Sequence, residues 1–545
     1  MAMKILDKKN LSQILMLLVW VCISGYTIFY HVMWRDEVRN FMISINGSDS
    51  IKLIGNSHPV VIYLMQKVGY FLTGSYYVAP VLAFLIALTA VSIFIFCAPF
   101  SLFFKALFVF GYPALYEYTV MARGYGISML LMFVLALVFS SEKYRYRLTG
   151  PTLFVLANTN AHSALIAAIF SVMWPVCTWK ENRWKLNAAV YKTFPTAAMG
   201  LAGFVACILT IYPPRYDDLA AHPMVREGAH HLKILFLKEL TFSPFKTEFL
   251  ESFGQNFISH LTYKSLTIVS FIATMTCIFA VWGNFFLFAT ALVTEAVFIT
   301  FFSVVYPGDY RHQILLLVLI CSLFWIFKKT TTRKPTVLNK IGVFSLSFLL
   351  FTQVVHAALL DFHEVHEPNS RSKEFANLVQ SQPDLRDAAI IATSDDVLES
   401  MPYYMSNKLY VMTQKKFDRV VPFTARSYKN YSLSDVLDTA KTIAACTAKP
   451  VIILVVNENK KDSNEAPRNI MDHIQDENYR YYGFGYWKFT FSEQQKNDLK
   501  AQTTEIAHYP NGFLEEGFVV YRLNPSLQAL GNGLDCAHYG AGRAP

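Results

Sequence analysis

Charge is scarce in this sequence. Asp, Glu, Lys and Arg make up only 16% of its 545 residues, against 54% hydrophobic and 15% aromatic. That balance excludes an ordinary soluble globular protein and indicates a polytopic membrane protein. The polar C-terminal part lacks a Gly-rich phosphate loop, a nucleophile elbow and the spaced ligands of a metal centre, and no acidic cluster in the chain demands a metal; no cofactor is expected. The chain shows no repeat symmetry of the kind that builds a transporter around a mid-membrane site. Cysteine is sparse as well. Of the eight, six lie in apolar stretches, where a small buried hydrophobe is the ordinary role. Cys446 and Cys536 fall in the polar C-terminal part, where an oxidising compartment would allow a disulfide.

The formal net charge of +9 does not mark a nucleic-acid binder, because the basic residues stand in short clusters between apolar runs, where they orient membrane helices. Lys4, Lys8 and Lys9 precede an apolar run from Leu11 to about Met33. The run is longer than a signal-peptide core and no small-residue cleavage site ends it, so a retained first span with a cytoplasmic N-terminus is expected. Further spans are expected near 75–97, 102–117, 123–140, 149–158, 163–178, 190–212, 265–282, 285–305, 313–327 and 338–358, about 11 in all. The inward turns then carry Lys105, Lys143 with Arg145 and Arg147, Lys180 with Arg183 and Lys185, and Lys328 to Lys334. The stretch 149–158 is too short to cross ~30 Å of hydrocarbon and must be tilted, broken or set against a water-filled cavity.

This topology gives a transmembrane domain over 1–358 with outer loops at 34–74 and 213–264, and a C-terminal soluble α/β domain over 359–545 on the outer face. The first loop holds a helix after Trp34 and an interfacial or re-entrant helix over His58 to Thr73. The second holds His222, His230, His231 and an amphipathic piece near Ile234 to Leu240. In the soluble domain, strands are expected at Ala388 to Ala392, Val451 to Val456 and Gly517 to Leu523, with a helix over Ser434 to Ala445.

Polar residues beside the spans gather on one side. Asp36, Glu37, His58, Glu117, Arg123, Asn158, Asn160, His162, Arg311 and His312 all fall at the outer ends, where residues placed only for structure have no reason to collect. Paired arginines there suit an anionic phosphate, and a carboxylate suits removal of a hydroxyl proton. Plainer roles stand beside these: Asp36 paired with Arg39 along a short helix, Arg123 and Arg311 as snorkelling anchors, and His162 as a satisfied helix-end residue.

The element Asp36-Glu37-Val38-Arg39 directly after the first span, followed by Ser57-His58-Pro59, resembles the first outer loop of the GT-C glycosyltransferases. Within them it is most similar to the protein O-mannosyltransferase and lipid A aminoarabinose transferase branch. Ala122-Arg123-Gly124-Tyr125 and Tyr310-Arg311-His312 add to the resemblance, which covers roughly residues 11 to 358; the outer C-terminal domain matches the architecture of the aminoarabinose branch. It implies inverting transfer of a sugar from a polyprenyl-phosphate donor to an acceptor hydroxyl on a glycan, lipid or protein, at the periplasmic side of the inner membrane and without a metal. Asp36 would be the general base, with Glu37 beside it positioning the acceptor or sugar. Arg123 and Arg311 would bind the donor phosphate, and His58, His162, Tyr310 and His312 would contact substrate. A polysaccharide polymerase or ligase and a lipid-linked glycan transporter are the alternatives.

Overall fold

The structure, a computed structural model, describes residues 8–46, 58–212, 260–304, 310–422, 427–457, 479–483, 487–512 and 517–525. The second outer loop expected over 213–264, its three histidines included, lies outside them except for its last residues. The chain forms two compact units, the first built on Met1–Phe29, Asn56–Tyr212 and Ala220–Phe362, the second on Tyr30–Gly55 and His363–Pro545. The stretch carrying Asp36 and Glu37 therefore folds with the C-terminal region.

The helices run in the order α1 (Lys8–Tyr30), α2 (Arg35–Ile45), α3 (Val60–Thr73), α4 (Val78–Cys97), α5 (Leu102–Val109), α6 (Tyr125–Phe139), α7 (Arg145–Ala157), α8 (Ala161–Glu181), α9 (Phe194–Ile211), α10 (His260–Cys277), α11 (Phe285–Val304), α12 (Tyr310–Thr330) and α13 (Val337–His366). All but α2, the last residue of α1 and the end of α13 from His363 belong to the first unit. Among the described residues seven helices are long and apolar enough to cross a bilayer; the chain is a polytopic membrane protein. The larger number expected from apolar runs takes in shorter pieces. α5 stops after 8 residues because Gly111 and Pro113 break the run, which resumes as a single π turn over Pro113–Glu117. α7 has 13 residues with Pro151 inside, in the stretch whose apolar length is too short to span.

Local chemistry sets the helix ends. The Ile95 carbonyl at the end of α4 accepts from Lys105 Nζ at 2.5 Å and from Gln13 Nε2 at 2.8 Å. Arg145 Nε donates to the Phe139 carbonyl at the end of α6, at 2.6 Å. These basic residues thus cap helix C-termini, where cations are favoured. Inside the unit Phe94 packs on Phe108 and Phe133, at ring-centroid distances of 4.5 and 4.9 Å, and more loosely on Trp325. This joins α4, α5, α6 and α12. α12 is the central helix: 83% of its apolar window is buried, against 22% for α1. A Cβ on Gly203 of α9 would lie 2.7 Å from the Phe154 Cα of α7, so only glycine permits this approach of the two backbones.

The second unit carries a six-stranded mixed sheet in the order β3-β2-β1-β5-β9-β8. Its strands are β1 (Ala389–Ala392), β2 (Leu409–Val411), β3 (Lys416–Phe417), β5 (Val451–Val456), β8 (Thr503–Tyr509) and β9 (Phe518–Leu523). β4 (Asn430–Ser432), β6 (Tyr479–Gly483) and β7 (Trp487–Phe491) form a second sheet. The central strands β1 and β5 pair in parallel and are buried at every position, as expected of continuous apolar runs covered on both faces. Helix α15 (Leu433–Thr447) has a Ser432–Asp435 capping box and follows α14 (Ser372–Ser381). Cys446 is disulfide-bonded; Cys536 lies outside the described residues. Of the other six cysteines, Cys177, Cys207, Cys277 and Cys321 are buried, while Cys22 and Cys97 are exposed.

Candidate active site

In the first unit the site is assembled at helix N-termini. Asn160 caps α8 by accepting from the Ser163 amide at 2.8 Å, and its own amide donates to Ser128 Oγ of α6 at 2.7 Å. This fixes α8 against α6 and places His162 in the first turn. Asn158, also expected near the site, donates to the Phe154 and Gly203 carbonyls instead. Both asparagines are structural.

His162 is buried, and neither ring nitrogen has a hydrogen-bond partner among the described residues. Its ring stacks on His312 at 4.7 Å and touches Phe301 and Phe302 of α11 at 5.5 and 5.3 Å. His312 stands in the first turn of α12. Tyr125 is the hub of the group: His312 lies 5.5 Å from its ring, His58 6.3 Å, and the Arg123 guanidinium 5.6 Å. Tyr118 stacks on Tyr125 at 5.8 Å, and its hydroxyl donates to the Arg311 carbonyl at 2.8 Å. Arg123, Arg311 and His58 also act electrostatically on His312. Arg123, His58 and His312 thus stand around one tyrosine, with His162 stacked on His312 and the Arg311 backbone joined through Tyr118, at the positive ends of two helices, an environment that suits an anion.

Tyr310 is turned to a neighbouring polar group. Its hydroxyl donates to Gln353 Oε1 of α13 at 2.6 Å, and its ring lies near Tyr112 and His356. The Tyr112 hydroxyl in turn donates to Glu117 at 2.7 Å.

In the second unit Asp36 and Glu37 sit in the first turn of α2, yet their surroundings differ. Glu37 is fully buried and accepts from the Trp34 amide and from His31 Nε2, both at 2.9 Å. His31 Nδ1 lies 2.8 Å from Glu364, which also accepts from Asn369 Nδ2 at 2.5 Å. Burial alone would lower the His31 pKa, but the flanking Glu37 and Glu364 carboxylates hold it well above its ordinary value. Asp36 is only partly buried. Arg39 Nε lies 3.3 Å from Glu399, and Arg35 Nη1 lies 3.8 Å from Asp396.

No protein-family model matches the sequence, and no curated protein matches it as a relative. Among solved structures, the chain is similar to the crystal structure of ArnT from Cupriavidus metallidurans in the apo state. The TM-score is 0.51 at 11% identity, over 94% of this chain and 98% of that one. The chain has a GT-C fold, that of ArnT. The cryo-EM structure of the arabinofuranosyltransferase AftD from Mycobacteria aligns over 93% of this chain and 40% of that one, at TM-score 0.34 and 9% identity, too distant to carry any argument.

On this GT-C fold, His58, Arg123, His162, Arg311 and His312 come together in the first unit, Tyr310 stands in the adjoining polar group, and Asp36 and Glu37 lie in the second unit. His31 is not legible in the sequence, where it looks like the end of an apolar run. Nor are Asp396 and Glu399, which follow an ordinary strand. Glu295, buried within α11, has apolar neighbours for a full span and so forms no local pattern. The one available signal was a lone carboxylate inside such a run, which is costly in a bilayer.

Proposed function

We propose that this chain is an inner-membrane glycosyltransferase that moves a sugar from a polyprenyl-phosphate donor to an acceptor hydroxyl at the periplasmic face, with inversion. The observation that carries the reading is the cationic group around Tyr125. Arg123 and Arg311, with His58, His162 and His312 beside them and two helix N-termini behind, suit a lipid-linked phosphate. The ArnT fold supports the class.

In the reaction the acceptor oxygen attacks the anomeric carbon while Asp36 takes its proton. The bond from that carbon to the phosphate oxygen breaks, and polyprenyl phosphate leaves with the electron pair. The leaving group gains negative charge as it departs, so the arginines stabilise the transition state more than the ground state, and no strong acid is needed. Glu37, whose carboxylate is engaged by His31 and the Trp34 amide, positions the turn that bears Asp36. Tyr310 anchors the start of α12 through Gln353. No metal or cofactor takes part in this scheme.

The test is release of polyprenyl phosphate from a panel of polyprenyl-phosphate sugars by purified protein in lipid, with a mixed glycan acceptor extract. Wild type is expected to release it and Asp36→Asn is not, with both proteins folded; turnover by Asp36→Asn refutes the base assignment. Arg311→Ala should weaken donor binding by roughly 1.5–3 kcal/mol, the scale of a lost charge-assisted bond. Unchanged affinity would move the phosphate site elsewhere. Release from no donor would point to a pyrophosphate-linked donor, as in a polymerase or ligase.

A further inference from the structure

α2 has 11 residues, too few for a stable helix in isolation, so its shape depends on what holds it. Within the second unit its apolar side, with Val38, Phe41 and Met42, is fully buried, and the Phe41 ring meets Tyr403 at 6.4 Å. Its N-terminus needs a separate hold. The residue before it, Trp34, has the extended backbone of a helix cap, but an indole can only donate, so it offers no oxygen to the first amides of the helix. Glu37 supplies the reverse half of a capping box, its carboxylate accepting from the Trp34 amide at 2.9 Å. The place of Glu37 therefore sets where the helix begins, and Asp36 is the residue beside it.

Glu37 is held in turn by His31. The imidazole stands between two helices: Nε2 lies 2.9 Å from Glu37 of α2, and Nδ1 lies 2.8 Å from Glu364 in the last turn of α13. All three side chains are at most 2% exposed. The other oxygen of Glu364 is fixed by the Asn369 amide at 2.5 Å, and the Met33 amide, two residues after His31, donates to the Tyr404 hydroxyl at 2.6 Å. Among the described residues the charged groups facing the ring are Glu37 and Glu364; the Asn369 amide, 3.5 Å from Nδ1, is neutral.

A neutral imidazole has one N–H and can serve one of these carboxylates, whereas the cation serves both. A buried carboxylate that loses its charge partner is costly, so loss of the proton breaks one of the two links. We infer that His31, as the cation, is a positioning residue for the transfer: by joining Glu37 to Glu364 it fixes the first turn of α2, and with it Asp36, and transfer falls off when the proton is lost. This rests on Asp36 being the base. Burial lowers the His31 pKa, but the two carboxylates outweigh it and hold the value well above the ordinary one. The proton is therefore present at neutral pH, and the loss comes on the alkaline side.

The experiment is kcat and KM for polyprenyl phosphate release from about pH 6.5 to 10 in wild type, His31→Gln and Glu364→Gln. Wild-type kcat is expected to be level near neutrality and to fall about tenfold at the alkaline end, on the scale of a displaced catalytic group, with the donor KM within about twofold. His31→Gln cannot reach both carboxylates, so its kcat should be low throughout. Glu364→Gln separates charge from shape. Its glutamine can accept from Asn369 and donate to Nδ1, so a neutral ring then satisfies both sides and still donates to Glu37 through Nε2; kcat should persist into the range where wild type loses it. A wild-type profile without an alkaline fall, or the same fall in Glu364→Gln, overturns the inference, whether or not His31→Gln folds. Turnover by Asp36→Asn would instead overturn the base assignment. An inactive Asp36→Asn beside coincident profiles of wild type and Glu364→Gln removes only the role of His31.

Discussion

His31 has carboxylates on both ring nitrogens, Glu37 at 2.9 Å and Glu364 at 2.8 Å. An imidazole donates from both nitrogens only when protonated, so the geometry itself calls for the cation. The folded pKa is raised above the unfolded one. The stability this contributes is therefore complete below the unfolded value of about 6.5 and is lost as pH rises through the folded value. His31→Gln keeps a polar side chain but leaves two buried carboxylates without their charge partner, which should cost roughly 3–5 kcal/mol. Thermal melts of both proteins in detergent should show a wide gap at pH 6 that narrows at high pH. A gap of equal size throughout would mean that the ring acts by shape alone.

Between helices, contact depends on what the backbone will allow. Gly203 lets α9 approach α7 so closely that Asn158 reaches its carbonyl at 3.2 Å. Gly203→Val should destabilise by about 1–3 kcal/mol, as overpacking does, seen as a lower Tm. Leu209→Ala on the same helix, 75% exposed, should leave Tm nearly unchanged; an equal drop in both would assign the loss to the helix as a whole. Elements of this kind were largely legible in the sequence, because an apolar run has both a length and an end. The strands β1, β5 and β9 and the helix α15 stand where such runs predicted them. The order of the sheet was not legible, since β1 lies between β2 and β5 and nothing within a strand names its neighbour. The site was legible by half. Arg123, His162 and His312 stand out at the ends of apolar runs, but nothing in Ala122-Arg123-Gly124-Tyr125 shows that Arg123, His58 and His312 meet at the Tyr125 ring. Arg39 and Glu399 have no local pattern that joins them.

At the scale of the molecule, the second unit is discontinuous in sequence: Tyr30–Gly55 folds together with His363–Pro545. The inserted segment brings Val38, Phe41 and Met42, all fully buried, and full burial is worth about 1.5–3 kcal/mol per side chain of this kind. The ordering of the α2 backbone opposes this, and comparing the domain with and without the segment measures the surplus directly. A fragment of residues 363–545 should accordingly fold less stably than the same fragment with residues 30–55 fused through a flexible linker. If the surplus is about 2 kcal/mol, the fused fragment should melt some 4–8 °C higher, at about 2–4 °C per kcal/mol for a domain of this size. Adding Phe41→Ala to the fusion should remove most of that gain, because it deletes the ring that meets Tyr403. Equal Tm values for the fused and unfused fragments would show that α2 draws its order from elsewhere, and the domain would then have no hold on the helix that carries Asp36.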